Sequence, residues 1–361
     1  MREYKLKIAQ IAPLWHRIPP KEYGGTERVV SALTEELVAR GHDVTLFATA
    51  DSLTSARLIS TVPHGMREMG VNSVIANDLM TVQIGQVYKM QNEFDIIHDH
   101  MGIINLPAAQ FSRTPVVETL HGPITHTRRK LYEVYDKPFY VSISKSQLKY
   151  FPNINWAGTV YNGLGMKDYP FGRQNRGFLL FVGRISKVKG VHLAIDVAEI
   201  LELPLVIAAK LDKRDEPYFK KYIKPRLTEK IQWVGEVDEK QRNKLMSQAL
   251  CFLNPITWKE PFGLTMIEAM ACGCPVVAFN KGSIPEVIQN GKTGFVVDDL
   301  RQMIAAVNKI KSIKRKDCRN FALGNFSAKV MADHYEEIYY SIFEGQLSFR
   351  NIFFNKALGI N

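Results

Sequence analysis

The sequence has 361 residues, 46% hydrophobic and 23% charged, with 10% aromatics, a composition that excludes disordered and fibrous classes and suffices for a sizeable core. Length predicts two domains, because single cores rarely grow past roughly 250 to 300 residues. The net charge of +11 is uneven: residues 1–166 hold 17 basic against 15 acidic side chains and residues 167–361 hold 30 against 21, a bias that suits a phosphate-bearing ligand, an anionic membrane, nucleic acid or mere solubility.

In chain order, short runs rich in Val, Ile, Leu and Phe alternate with amphipathic stretches. Strands are predicted at 6–12, 43–50, 95–98, 115–121 and 139–144. Between the first two, residues 26–40 place Val29, Val30, Leu33 and Leu37 on one stripe and stop at Gly41, as a helix does. The segment Tyr161 to Gly165, with Asn162-Gly163 inside it, breaks both periodicities and is read as a hinge. The pattern then restarts with strands at 178–183, 205–210, 231–235, 251–255, 275–279 and 294–297, and helices at 191–201 and 262–272. Strands apolar on both faces and separated by helices form parallel sheets covered on both sides. The expectation is α/β: two doubly wound, Rossmann-like domains in tandem, with ligands at the carboxyl ends of the strands and a cleft between the halves as the site.

Some motifs mislead. Asn290-Gly291-Lys292-Thr293-Gly294 contains G-K-T, but Glu286 stands where a phosphate-cradling loop needs its first glycine; a turn is the simpler reading. His98-Asp99-His100 suggests a metal cluster, yet lacks a third and fourth ligand nearby and is assigned to hydrogen bonding at the cleft rim. The run Lys309, Lys311, Lys314, Arg315, Lys316 and Arg319 reads as a solvated helix face.

Three segments carry chemistry. Gly24-Gly25-Thr26-Glu27 follows the first strand and opens a helix, so backbone can approach a ligand there. Gly183 to Gly190 ends a strand with Arg184 as a guanidinium fork and Lys189 as a point charge, a pair suited to a diphosphate. Glu260 to Pro275 is the richest. Pro261 suits a first helical turn that leaves the N–H groups of Phe262, Gly263 and Leu264 free for an anion. Further on, Glu268 sits among Met266, Ile267, Ala269, Met270 and Ala271, where a carboxylate must find donors.

The segments GRISKVKG, EPFGLTMIEAMACGCPVVAFNKGSIPEVI and NGKTGFVV resemble the second domain of retaining glycosyltransferases of sequence family 4. GGTERVVSALTEELVARGHDVTLFA resembles their N-terminal opening. The resemblance implies the GT-B fold, a nucleoside diphosphate sugar as donor, no metal and no other cofactor. It implies domains at 1–163, completed by 335–361, and at 164–334. It assigns Arg184 and Lys189 to the diphosphate, Glu268 to the ribose hydroxyls, Glu260 to the donor sugar, and the backbone of Phe262, Gly263 and Leu264 to sugar and phosphate. Gly24 and Gly25 would line the nucleotide and His121 would flank the transferring sugar, so that His121, Glu260, Arg184 and Lys189 form the catalytic set. Val188 and Leu164-Gly165 depart from the family pattern.

The expected function is transfer of a hexose to an acceptor hydroxyl of a saccharide or glycolipid precursor with retention of configuration. Two alternatives stay open: a nucleic-acid or membrane-lipid acceptor, and a silent sugar-nucleotide-binding partner subunit. Donor base, hexose, acceptor, linkage and oligomeric state are not legible. The longest apolar stretch, Ala269 to Phe279, is broken by Gly273 and Pro275, the N-terminus lacks a signal-peptide pattern, and Cys251, Cys272, Cys274 and Cys318 contain no C-x-x-C pair. A cytoplasmic enzyme is expected, compatible with peripheral placement at the inner membrane surface.

Overall fold

The apolar runs become two all-parallel sheets. A computed structural model describes residues 4–21, 24–149 and 154–346, and the chain divides into one unit of Met1–Leu164 with Ala328–Asn361 and another of Gly165–Ser327. The predicted aromatic return of 335–361 lies, from residue 347 on, outside the described residues.

The first unit holds β1 (Lys7–Ile11), β2 (Asp43–Ala48), β3 (Arg57–Ser60), β4 (Ile96–Asp99), β5 (Val116–Leu120), β6 (Phe139–Ser142) and β7 (Trp156–Thr159), ordered 3-2-1-4-5-6-7. The second holds β8 (Leu179–Arg184), β9 (Leu205–Lys210), β10 (Ile231–Gly235), β11 (Cys251–Asn254), β12 (Val276–Phe279) and β13 (Gly294–Val297), ordered 10-9-8-11-12-13. Both are doubly wound, with the direction of winding reversing between β1 and β4 and between β8 and β11. At such a reversal the connections diverge and leave a crevice at the carboxyl ends of the strands.

Two strands were not anticipated from the sequence, β3 and β7. Both lie at sheet edges and are partly exposed, so they lack the continuous apolar run that marks the central strands. The helix Gly25–Ala39 buries Val29, Val30, Leu33 and Leu37. The helix Ala328–Phe343 packs beside it: Arg40 binds Asp333 and Glu336, and His42 binds Glu336 at 2.7 Å. Among the described residues no helix is long and apolar enough to cross a membrane.

Candidate active site

In the second unit, the predicted residues gather at the carboxyl ends of β8 and β11, the strands flanking the reversal. Arg184 closes β8, and Lys189 follows in a short turn over Lys187–Lys189. Glu260 lies in the loop after β11. The Lys189 Nζ donates to Glu260 Oε2 at 2.6 Å, with the two side chains 22% and 14% exposed, and lies 5.2 Å from the Trp258 ring centroid. A backbone bond from Thr257 N to Val188 O at 2.9 Å ties the two loops together. Arg184 Nη1 is 3.5 Å from Asp212 Oδ2. Its Nε, with Ser186 Oγ and Trp258 Nε1, is buried without a hydrogen-bond partner among the described residues. Unsatisfied polar groups of this kind are rare in ordinary core and concentrate at functional sites.

Glu260 is held from behind. Gly282 has φ +60°, and a Cβ there would fall 2.3 Å from Glu260 O and 2.7 Å from Glu260 N, so only glycine fits. Ser283 donates from its N–H to Glu260 O at 3.0 Å and from its hydroxyl to Phe262 O at 2.8 Å. Nothing in the sequence around Gly282 and Ser283 announces this role except their place after a buried strand.

The helix expected to begin around Pro261 starts later. It spans Leu264–Ala271, with Gly263 as its N-cap at φ +90°. Left-handed backbone at that position ends any helical path coming from Pro261, so Pro261 and Phe262 form the approach and the free first-turn N–H groups begin at Leu264. Glu268 is 1% exposed, and its Oε1 accepts from Arg242 Nη2 at 2.7 Å. The sequence predicts a donor for this carboxylate without naming it. Arg242 lies in the helix Glu239–Gln248, which Asp238 and Gln241 open as a capping box; this helix was not anticipated from the sequence, and that box is the one local signal that could have found it.

In the first unit, Gly24 caps the helix that Gly25 begins, at the carboxyl end of β1. Glu27, one turn in, is buried, and burial pushes its carboxyl up to about 7, with Arg67 opposing the shift. His121 follows β5 directly. The register explains its surroundings: Gln10 of β1 pairs with His98 of β4, and His98 pairs with Val117 of β5. Alternation along parallel strands then puts Gln10, His98 and Thr119 on one face, with His100 and His121 continuing it. His98 Nε2 lies 2.7 Å from Thr119 Oγ1, His100 Nδ1 lies 2.8 Å from His121 Nε2, and His100 Nε2 lies 2.7 Å from Gln10 Oε1. Tyr335 and Tyr339 of the C-terminal helix cover this face, bonding Thr119 at 2.8 Å and His98 at 2.6 Å. The assignment of His98-Asp99-His100 to a rim is corrected: His98 and Asp99 are fully buried. Asp99 turns to the opposite face, in register with Glu118.

Burial pushes the His121 imidazole down to about 4 and holds His98 and His100 well below their ordinary value. His121 is therefore uncharged at neutral pH. Because its folded value is depressed, its contribution to stability is complete above about 6.5 and is lost as pH falls through about 4. The stability difference between the protein and His121→Phe, measured by urea unfolding, should shrink as pH drops from about 6.5 to about 4. A constant difference across that range would contradict the depressed value.

Family models match both units: "Glycosyltransferase Family 4" over residues 23–152 and "Glycosyl transferases group 1" over residues 170–326. The chain belongs to the group 1 glycosyltransferases. The transferase is 23% identical to spore coat protein SA of Bacillus subtilis, over 90% of this chain and 94% of that one. Its fold matches sucrose-phosphate synthase of Thermosynechococcus elongatus, with TM-score 0.76, 19% identity, and coverage of 94% and 100%. It also matches Anabaena HepE in complex with UDP and glucose, with TM-score 0.72, 17% identity, and coverage of 93% and 100%. The architecture is GT-B, two Rossmann-like parallel-sheet domains.

Proposed function

We propose that this transferase moves a hexosyl group from a nucleoside diphosphate sugar to an acceptor hydroxyl with retention of anomeric configuration. The observation that carries the reading is the part-buried Lys189–Glu260 pair at the crevice end of β8 and β11, with Arg184 closing β8. Negative charge builds on a departing diphosphate while the sugar carbon becomes positive. Arg184 and Lys189 supply fixed positive charge for the first, and Glu260, its backbone held by Gly282 and Ser283 and its carboxylate by Lys189, supplies negative charge for the second. Leu264 contributes the first free backbone N–H group at the helix mouth, with Phe262 and Gly263 on the approach to it. The acceptor's proton passes to the leaving diphosphate, so no protein nucleophile is assigned. The UDP and glucose in the structural relative from Anabaena are in keeping with such a donor.

Incubation with a panel of UDP-, GDP- and ADP-sugars, followed by nuclear magnetic resonance of the product anomer, tests the reading. One donor should be turned over with retention, and turnover should persist in excess chelator because Arg184 and Lys189 supply the positive charge that a metal would otherwise bring to the diphosphate. Inversion of the anomer, or a loss in chelator reversed only by a divalent ion, would refute it. Absence of turnover with every donor would favour the silent partner subunit.

An acceptor on nucleic acid or membrane lipid is the second reading, favoured by the surplus of basic side chains in residues 167–361; the cavity of about 770 Å³ lined by Arg173, Lys311, Lys314 and Lys316 lies with Leu250 and Pro275 at the amino ends of β11 and β12, away from the carboxyl-end site. Not all of the basic run is solvated: Arg315 donates to the carbonyls of Gly172, Ala249 and Ser247, and Arg319 to those of Tyr169 and Ala271. Acceptor binding that weakens steeply with salt would support this reading over a neutral saccharide.

A further inference from the structure

Gln10 is fully buried in the apolar strand KIAQI, where an amide is tolerated only if both of its ends are engaged. From its hydrogen bonds we infer that Gln10 is a positioning residue: through His100 it fixes the tautomer of His121, so that Nε2 carries the ring proton and Nδ1 presents a bare lone pair. The inference rests on the reading of His121 as a group beside the transferring sugar.

The direction of each bond follows from the amide. Gln10 Oε1 is 2.7 Å from His100 Nε2, and a carbonyl oxygen only accepts, so His100 Nε2 carries hydrogen. Turning the amide over would put its NH2 group at 2.7 Å from a ring nitrogen, short for such a pair. It would also leave the oxygen 3.3 and 3.4 Å from His98 Nδ1 and the Tyr339 hydroxyl, long for bonds that oxygen makes at about 2.7 to 3.0 Å. The distances therefore select one orientation. His100, held neutral by burial, has a single ring proton, so its Nδ1 can only accept. Its neighbour at 2.8 Å, His121 Nε2, must donate.

The rest of the network agrees. The Gln10 NH2 group reaches the Tyr339 hydroxyl at 3.4 Å, which leaves Tyr339 to donate to His98 Nδ1 at 2.6 Å and His98 Nε2 to donate to Thr119. The branch ending at His121 decides whether that ring accepts a hydrogen bond from a sugar hydroxyl or donates one.

Histidine-selective ¹⁵N labelling and long-range ¹H–¹⁵N spectra of the full chain at neutral pH read each ring nitrogen directly. The expected spectrum shows His121 and His100 with protonated Nε2 and unprotonated Nδ1. In Gln10→Met, which cannot accept from His100, the unprotonated Nδ1 signal of His121 should shift towards the protonated range. In Gln10→Glu, which keeps an acceptor at that point, it should stay. Inorganic pyrophosphate, titrated by calorimetry, should bind all three proteins alike. A proton on His121 Nδ1 in the unaltered protein would overturn the inference. So would an unmoved signal in folded Gln10→Met; if Gln10→Met fails to fold, a shifted signal in Gln10→Glu would overturn it instead. The tautomer is read without donor or acceptor, so a failed transfer assay with the expected tautomer would count against the proposed function alone.

Discussion

Replacing Lys189 with methionine is expected to lower kcat/KM by roughly 10²- to 10³-fold, the range seen when one preorganised charge-stabilising group is removed. Two effects act together. On the proposed function, the diphosphate loses a cation that Glu260 fixes at 2.6 Å, and the Glu260 carboxylate, relieved of its partner, faces the incoming diphosphate with like charge. Methionine keeps an unbranched side chain of similar length but also removes the ammonium that lies 5.2 Å from the Trp258 ring centroid. Steady-state kinetics with the donor identified by the panel, together with pyrophosphate calorimetry, should show both kcat and diphosphate affinity reduced. Values within threefold of the unaltered protein, on the order of only half a kcal/mol, would remove Lys189 from the site.

The largest effect on stability is expected from Arg242→Met, about 3 kcal/mol or more by urea unfolding. Glu268 is 1% exposed and Arg242 12% exposed in its side chain, so the pair sits where water cannot take over the role of the missing guanidinium. Removing one member of a buried pair leaves the other's desolvation uncompensated, which is far more costly than losing both. Adding Glu268→Gln to Arg242→Met should therefore recover part of the loss. If the double variant is instead less stable than Arg242→Met by a further 2 kcal/mol or so, of the size expected when a second charged hydrogen bond is lost, the remaining partners of Glu268 outweigh Arg242. In nucleotide binding, both single variants should lose affinity, since Arg242 orients the carboxylate that the family resemblance assigns to the ribose.

Much of this was readable in the sequence because central parallel strands are buried on both faces and announce themselves as apolar runs. β1, β8 and β12 are of this kind, whereas the edge strands β3 and β7 carry no such mark. Arg184, Lys189 and Glu260 were legible because glycines and a proline fix them at strand-to-helix junctions. Arg242, Gly282 and Gln10 were not, for a common reason: each acts through a contact set by sheet register or helix packing across a long span of chain. Gln10 meets His98 and His100 only because β1 and β4 are neighbours, an adjacency that no local pattern encodes. The same holds for His98, Asp99 and His100, contiguous in sequence and divided between two faces by the strand's alternation.

The helix Ala328–Phe343 belongs to the first unit yet is the last described element of the chain. During synthesis at roughly 5 to 20 residues per second, β1 to β7 emerge first, and the face bearing His98 and Thr119 must wait while all of Gly165–Ser327 is made. Only then do Tyr335 and Tyr339 arrive to cover it. The second unit, being contiguous, has every element it needs before the first does. The usual order in a growing chain is thereby reversed, and a chain interrupted before residue 328 would hold a complete second unit beside a first unit whose buried histidines still lie open to water.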